Sequence, residues 1–210
     1  MGKTALLVVD VQKDFCEGGP LAVPEAEMVV PIINELMEKV SFDLIVGTMD
    51  FHPKGHGSFA STHGAEVFSM GELGGNPQVM WPDHAIQGTD GARYHKQLNQ
   101  GDLEYIVHKG FNPDADSYSG FADADGTETD LNKFLQDHAI ETVYVVGLAT
   151  DYCVKFTALD SLSRGYDTIM VLDAVRGVEQ NPGDSEAAID EFFKMGGEVT
   201  LSETLLKYGL

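Results

Sequence analysis

Six short apolar or β-branched runs recur along this chain, at residues 5–9 (ALLVV), 44–48 (LIVGT), 105–107 (YIV), 142–146 (TVYVV), 168–172 (TIMVL) and, more weakly, 198–201 (EVTL). Runs without apolar–polar alternation suit strands buried on both faces, as in a covered parallel sheet. Helical patterns lie between them, at 25–39 with Val29, Ile32, Ile33 and Leu36 on one face, and at 128–138, 152–164 and 185–195. Alternating strand and helix predicts an α/β fold: a doubly wound, Rossmann-like, mostly parallel sheet of about six strands with helices on both faces. At 210 residues one domain, 1–210, is expected.

In such sheets ligands bind beyond the carboxyl ends of the strands. Asp10, Asp50, Lys109 and the Asp151–Cys153 segment each follow a predicted strand. Residues 52–100 are rich in Gly, Pro, His and Ser and lack a helix-length period. A connection this long inside a compact domain is usually functional, and it reads as an insertion carrying metal-binding residues.

Cys153 stands in GLATDYCV, where a strand gives way to a helix. A thiol at a helix N-terminus is expected to have a lowered pKa. Lys109 is the candidate cation beside it and Asp10 the candidate base, an arrangement that activates a cysteine without histidine. The second cysteine, Cys16 in KDFCEGG, has no basic neighbour beyond Lys13 and reads as a bystander. Asp50 and His52 form a D-x-H that puts both side chains on one face of extended chain, and His84 in WPDH can close the set. Two imidazoles and a carboxylate suit one divalent metal ion, Zn²⁺ first, with Fe²⁺ or Mn²⁺ as alternatives.

Charge narrows the partners. Thirteen basic against 34 acidic residues give a formal net charge of −21, which repels nucleic acid and anionic membrane surfaces. The start MGKTALLVVD lacks the apolar core and cleavage site of a leader, so a cytoplasmic location is expected. Two cysteines are too few for a disulfide framework.

Five segments, LLVVDVQKDFCEGGPLAV, TMDFHPKGHGSFAS, VMWPDHAIQGTDGA, HKGFNPDADSYSGF and GLATDYCVKFTALDS, occur in that order between residues 5 and 175. Together they resemble the nicotinamidase branch of the isochorismatase-like cysteine hydrolases. The resemblance implies the isochorismatase-like hydrolase fold, a triad of Asp10, Lys109 and Cys153, and a metal held by Asp50, His52 and His84. A further metal position, direct or through water, falls at Ser58, with His56 nearby. The resemblance also implies a cis peptide between Leu148 and Ala149, an oxyanion hole from the amides of Ala149 and Cys153, and a ring pocket of Phe15, Leu21, Trp81, Tyr118 and Tyr152. The implied activity is hydrolysis of nicotinamide to nicotinate and ammonia through a cysteine thioester in NAD salvage, with pyrazinamide also accepted. The expected partner is this small molecule, and homo-oligomerisation is left open. Rival readings are a sister amidase acting on a carbamoyl compound or ureidoacrylate, an isochorismatase proper, and a binding module with a structural metal.

Overall fold

The computed structural model describes residues 2–210. In chain order its elements are β1 (Lys3–Val9), α1 (Val29–Lys39), β2 (Leu44–Asp50), α2 (Ala60–His63), β3 (Met70–Leu73), β4 (Asn76–Val79), β5 (Tyr105–Lys109), α3 (Leu131–Asp137), β6 (Ile140–Leu148), α4 (Lys155–Ser163), β7 (Asp167–Arg176), α5 (Asp184–Lys194), β8 (Glu198–Thr200) and α6 (Ser202–Tyr208). Six strands form one sheet in the order β5-β2-β1-β6-β7-β8, with parallel pairing throughout. All six runs read from the sequence are strands of this sheet.

Burial explains why the runs lack alternation. Along β1, Leu6 and Val8 pack with Val29, Ile33 and Leu36 of α1 and Leu205 of α6. Ala5, Leu7 and Val9 face the other side, against Leu131 and Leu135 of α3, Ala158 of α4 and Phe192 of α5. Each fully buried aliphatic or aromatic side chain of this kind contributes about 1.5–3 kcal/mol, and β1 supplies both layers at once.

Three of the four helices read from the sequence are shorter than their patterns, while α5 is shifted by one residue. Glu25 takes a left-handed conformation (φ 57) and a 3-10 turn, Ala26–Met28, follows, so α1 begins at Val29. A π-helical turn, Thr150–Val154, precedes α4. The 52–100 region contains α2 and the antiparallel β3–β4 hairpin, neither of which has a long enough pattern to be read from sequence. α6 was not read from the sequence.

Chain order reverses at β1, whose neighbours are β2 and β6. Gly147 permits the close approach there: its φ is +113, and a Cβ would collide with the Val9 backbone. The reversal opens a crevice at the carboxyl ends of β1 and β6, where ligands of open α/β sheets bind. Among the described residues no helix is long and apolar enough to cross a membrane.

Candidate active site

Strand ends deliver the central charges. Asp10 follows β1 in a left-handed conformation (φ 46), which is costly for a residue with a Cβ. Its Oδ1 accepts a 2.6 Å hydrogen bond from the Thr48 hydroxyl. Lys109 ends β5, and its Nζ lies 3.0 Å from Asp10 Oδ2, donates to Asp50 Oδ1, donates to the Ser117 carbonyl at 2.6 Å and reaches Cys153 Sγ at 3.5 Å. All four side chains are buried. A buried ammonium is tolerated because two carboxylates surround it.

These neighbours push the two carboxylates in opposite directions. Burial, reinforced by Asp50, raises Asp10 despite Lys109. Burial would raise Asp50 as well, but Lys109, His52 and His84 outweigh it and hold Asp50 below the usual carboxylate range. Asp10 is therefore the carboxylate able to take and return a proton, while Asp50 stays ionised.

Cys153 sits in the π-helical turn, not in the first turn of an α-helix, and its thiol is not lowered as the sequence suggests. Burial is the largest influence and pushes it well above its ordinary value; Lys109 opposes this, and Asp10 and Asp50 reinforce it. The resting thiol is thus neutral. A carboxylate oxygen of Asp10 lies within 4.8 Å of the thiol sulfur and can receive its proton. The Leu148–Ala149 peptide is cis, as expected. The turn closes when the Tyr152 and Val154 amides donate to the Ala149 carbonyl at 3.0 Å each, a closure in which the Ala149 and Cys153 amides take no part.

Asp50 links this group to a second one. Its Oδ2 lies 3.7 Å from His52 Nε2 and 3.9 Å from His84 Nε2. Each ring is oriented from behind, His52 Nδ1 by the Gly110 carbonyl at 3.0 Å and His84 Nδ1 by the Pro82 carbonyl at 2.7 Å. A proton held at Nδ1 leaves both Nε2 lone pairs aimed at Asp50 Oδ2, the tautomer of a metal ligand. Bonds of about 2.1 Å in a tetrahedral site imply donor separations of about 3.4 Å, so the three donors fit one divalent ion after small rotations. Burial and His52 lower His84 to about 4, keeping it neutral.

His56 lies tilted against His52 with ring centroids 4.3 Å apart, yet both its nitrogens are engaged, with the Ser58 hydroxyl at 2.8 Å and the Asn112 carbonyl at 2.8 Å. His56 does not join the three-donor group of Asp50, His52 and His84.

A small, tightly walled cavity lies against these groups. Phe15, Leu21, Trp81, Tyr118 and Tyr152 all line it, together with Asp50, His84, Ala149 and Cys153. Leu148, expected only as part of the cis peptide, also lines it, and Val23, Asp116 and Val178, which were not singled out from the sequence, complete the wall. Asp116 is buried and accepts from Gln78 Nε2 at 2.5 Å and from the Ser117 amide at 2.8 Å.

The supporting roles of Gln12 and Asp151 also escaped the sequence reading. Gln12 clamps the Asp50 backbone, accepting from its amide at 2.8 Å and donating to its carbonyl at 2.8 Å. Asp151 accepts from the amides of Val178 (2.9 Å) and Glu179 (2.8 Å), fastening one pocket wall to the turn that carries Cys153. The only sequence cue for Gln12 and Asp151 is their nearness to Asp10 and Cys153.

Residues 4–204 match the isochorismatase domain. The chain is 46% identical over 199 residues to the nicotinamidase of Escherichia coli strain K12, with 93% of each chain covered. In structure it is similar to a nicotinamidase pyrazinamidase of Acinetobacter baumanii (TM-score 0.93, 43% identity, 98% of this chain and 99% of the other). It is also similar to the pyrazinamidase of Pyrococcus horikoshii in complex with zinc (TM-score 0.78, 38% identity, 95% and 99% covered).

Proposed function

The chain belongs to the isochorismatase family, and from that premise we propose that it is a metal-dependent nicotinamidase, hydrolysing nicotinamide to nicotinate and ammonia in NAD salvage and also accepting pyrazinamide. The observation that carries this reading is the sharing of Asp50: one oxygen faces Lys109 and the other faces His52 and His84, beside a single cavity lined by Cys153. A sister amidase does not require that second group.

The aromatic walls hold the pyridine ring and place its carboxamide carbon near Cys153 Sγ, and this positioning supplies much of the rate. The thiol proton passes to Asp10 as sulfur bonds to the carbonyl carbon, and Lys109 stabilises the developing thiolate. Because the resting thiol is neutral, proton transfer and attack are coupled. Backbone amides of Ala149 and Cys153 receive the oxyanion. Asp10 returns the proton to nitrogen, the C–N bond breaks and ammonia leaves, with nicotinoyl bound to sulfur. Water then attacks the thioester and gives one proton through Asp10 to the departing sulfur, and the acid product loses its remaining proton to solvent and leaves as nicotinate. When held by Asp50, His52 and His84, a divalent cation, Zn²⁺ before Fe²⁺ or Mn²⁺, supplies a Lewis acid for the ring nitrogen and offsets the excess carboxylate charge. The chemistry and acidic surface fit a cytoplasmic enzyme with a small-molecule partner.

Ammonia release from nicotinamide tests the reading. Wild-type protein is expected to release it, to lose activity on chelation and to recover with metal, while Cys153→Ala stays inactive throughout. A folded, metal-loaded wild type that leaves nicotinamide intact refutes the assignment.

A further inference from the structure

Away from the cavity, three donors from distant stretches converge. They are the Cys16 thiol from the loop after β1, the Glu27 carboxylate from the 3-10 turn before α1, and the His95 imidazole from the end of the 52–100 region. Their donor atoms all lie within 4.8 Å of one another. We propose that Cys16, Glu27 and His95 form a second transition-metal site, of the class that takes Zn²⁺, separate from the Asp50 group.

Thiolate, imidazole and carboxylate are the three side-chain donors that zinc takes. Bonds of about 2.0–2.3 Å require donor separations of about 3.3–3.8 Å, which small side-chain rotations reach from the observed spacing. Among the described residues no hydrogen bond joins the three groups to each other. Their recorded contacts are to backbone: the Glu17 amide donates to Glu27 Oε1 and the Gln97 amide to His95 Nδ1 at 3.4 Å. Neither contact uses the second Glu27 oxygen or His95 Nε2, and giving up the long Nδ1 contact lets the ring proton move to Nδ1, which makes Nε2 a ligand.

Charge balance favours a dication. Cys16 is 2% exposed, and the Glu27 carboxylate lies beside it. One thiolate and one carboxylate neutralise a divalent ion, so metal uptake expels the thiol proton and leaves no net charge in the cluster. A water completes four-coordination. Location supplies a purpose: Cys16 follows Phe15, which lines the cavity, and His95 donates its amide to the Val11 carbonyl at 2.8 Å. Metal there ties the Phe15 loop to the 52–100 region and to the entrance of α1.

The decisive probe is Co²⁺ in the Cys153→Ala protein. The Asp50 group offers only oxygen and nitrogen, and Cys153 is removed, so a thiolate-to-cobalt charge-transfer band can arise only from Cys16. Two equivalents retained through gel filtration, together with that band, are expected. Adding Cys16→Ser should abolish the band and leave one equivalent, and adding His95→Gln instead should also leave one equivalent with Cys16 still present. Circular dichroism identifies any variant that fails to fold, but Cys153→Ala alone decides the matter: one equivalent and no band in that folded protein overturns the proposal. The result is independent of the reaction assigned to the cavity.

Discussion

Thr48→Val isolates the hydrogen bond that orients Asp10. Thr48 is fully buried in β2, its hydroxyl donates to Asp10 Oδ1 at 2.6 Å, and it accepts from the Asp10 amide at 3.3 Å. Valine preserves the shape and removes the donor, while the amide keeps the Thr48 carbonyl at 3.3 Å. A hydrogen bond to a charged acceptor contributes about 1.5–3 kcal/mol. At about 2–4 °C per kcal/mol for a chain of this size, a loss of about 2 kcal/mol lowers Tm by about 4–8 °C. The bond favours the ionised form of Asp10, which burial already raises. Its removal therefore raises Asp10 further, by about one unit for each 1.4 kcal/mol of differential interaction. The acidic limb of kcat/KM for ammonia release should move to higher pH by about one unit or more, with the plateau reduced less than the rate at low pH. Calorimetry and a pH–rate profile measure both effects. A Tm within a degree of wild type and an unmoved acidic limb would refute this account of Asp10.

Gly110→Ala should cost both stability and metal, because Gly110 has φ +75 and a Cβ would lie 2.5 Å from His52 Cε1; about 1–3 kcal/mol of strain is expected, checked by denaturant unfolding and metal content. Asp151→Asn removes the charged acceptor for the Val178 and Glu179 amides, so the pocket wall loosens and KM rises several-fold while kcat falls less, as steady-state kinetics will show. Phe192→Ala empties a fully buried site beneath the sheet and should cost about 3–5 kcal/mol in urea unfolding, with KM little changed.

The strands were legible because a parallel sheet covered on both faces makes every position apolar, a local signature that 5–9 and 142–146 carry plainly. The ends of those runs then pointed to Asp10, Asp50, Lys109 and Cys153, since a strand's carboxyl end is a property of its own sequence. Helix starts were misread where backbone conformation intervened, as with the left-handed Glu25 and the π-helical turn before α4. Site organisation lay beyond local reading. That Asp50 serves Lys109 with one oxygen and His52 and His84 with the other, that Gln12 clamps Asp50, and that Thr48 orients Asp10 all depend on pairs 34 or more residues apart, apart from Asp50 with its neighbour His52. The thiol of Cys153 shows the limit most clearly. Sequence supplied a helix dipole and a nearby lysine, both favouring thiolate, but only the packed structure reveals burial beside two carboxylates, and desolvation, which grows with the surroundings and not with the neighbouring letters, decides the sign.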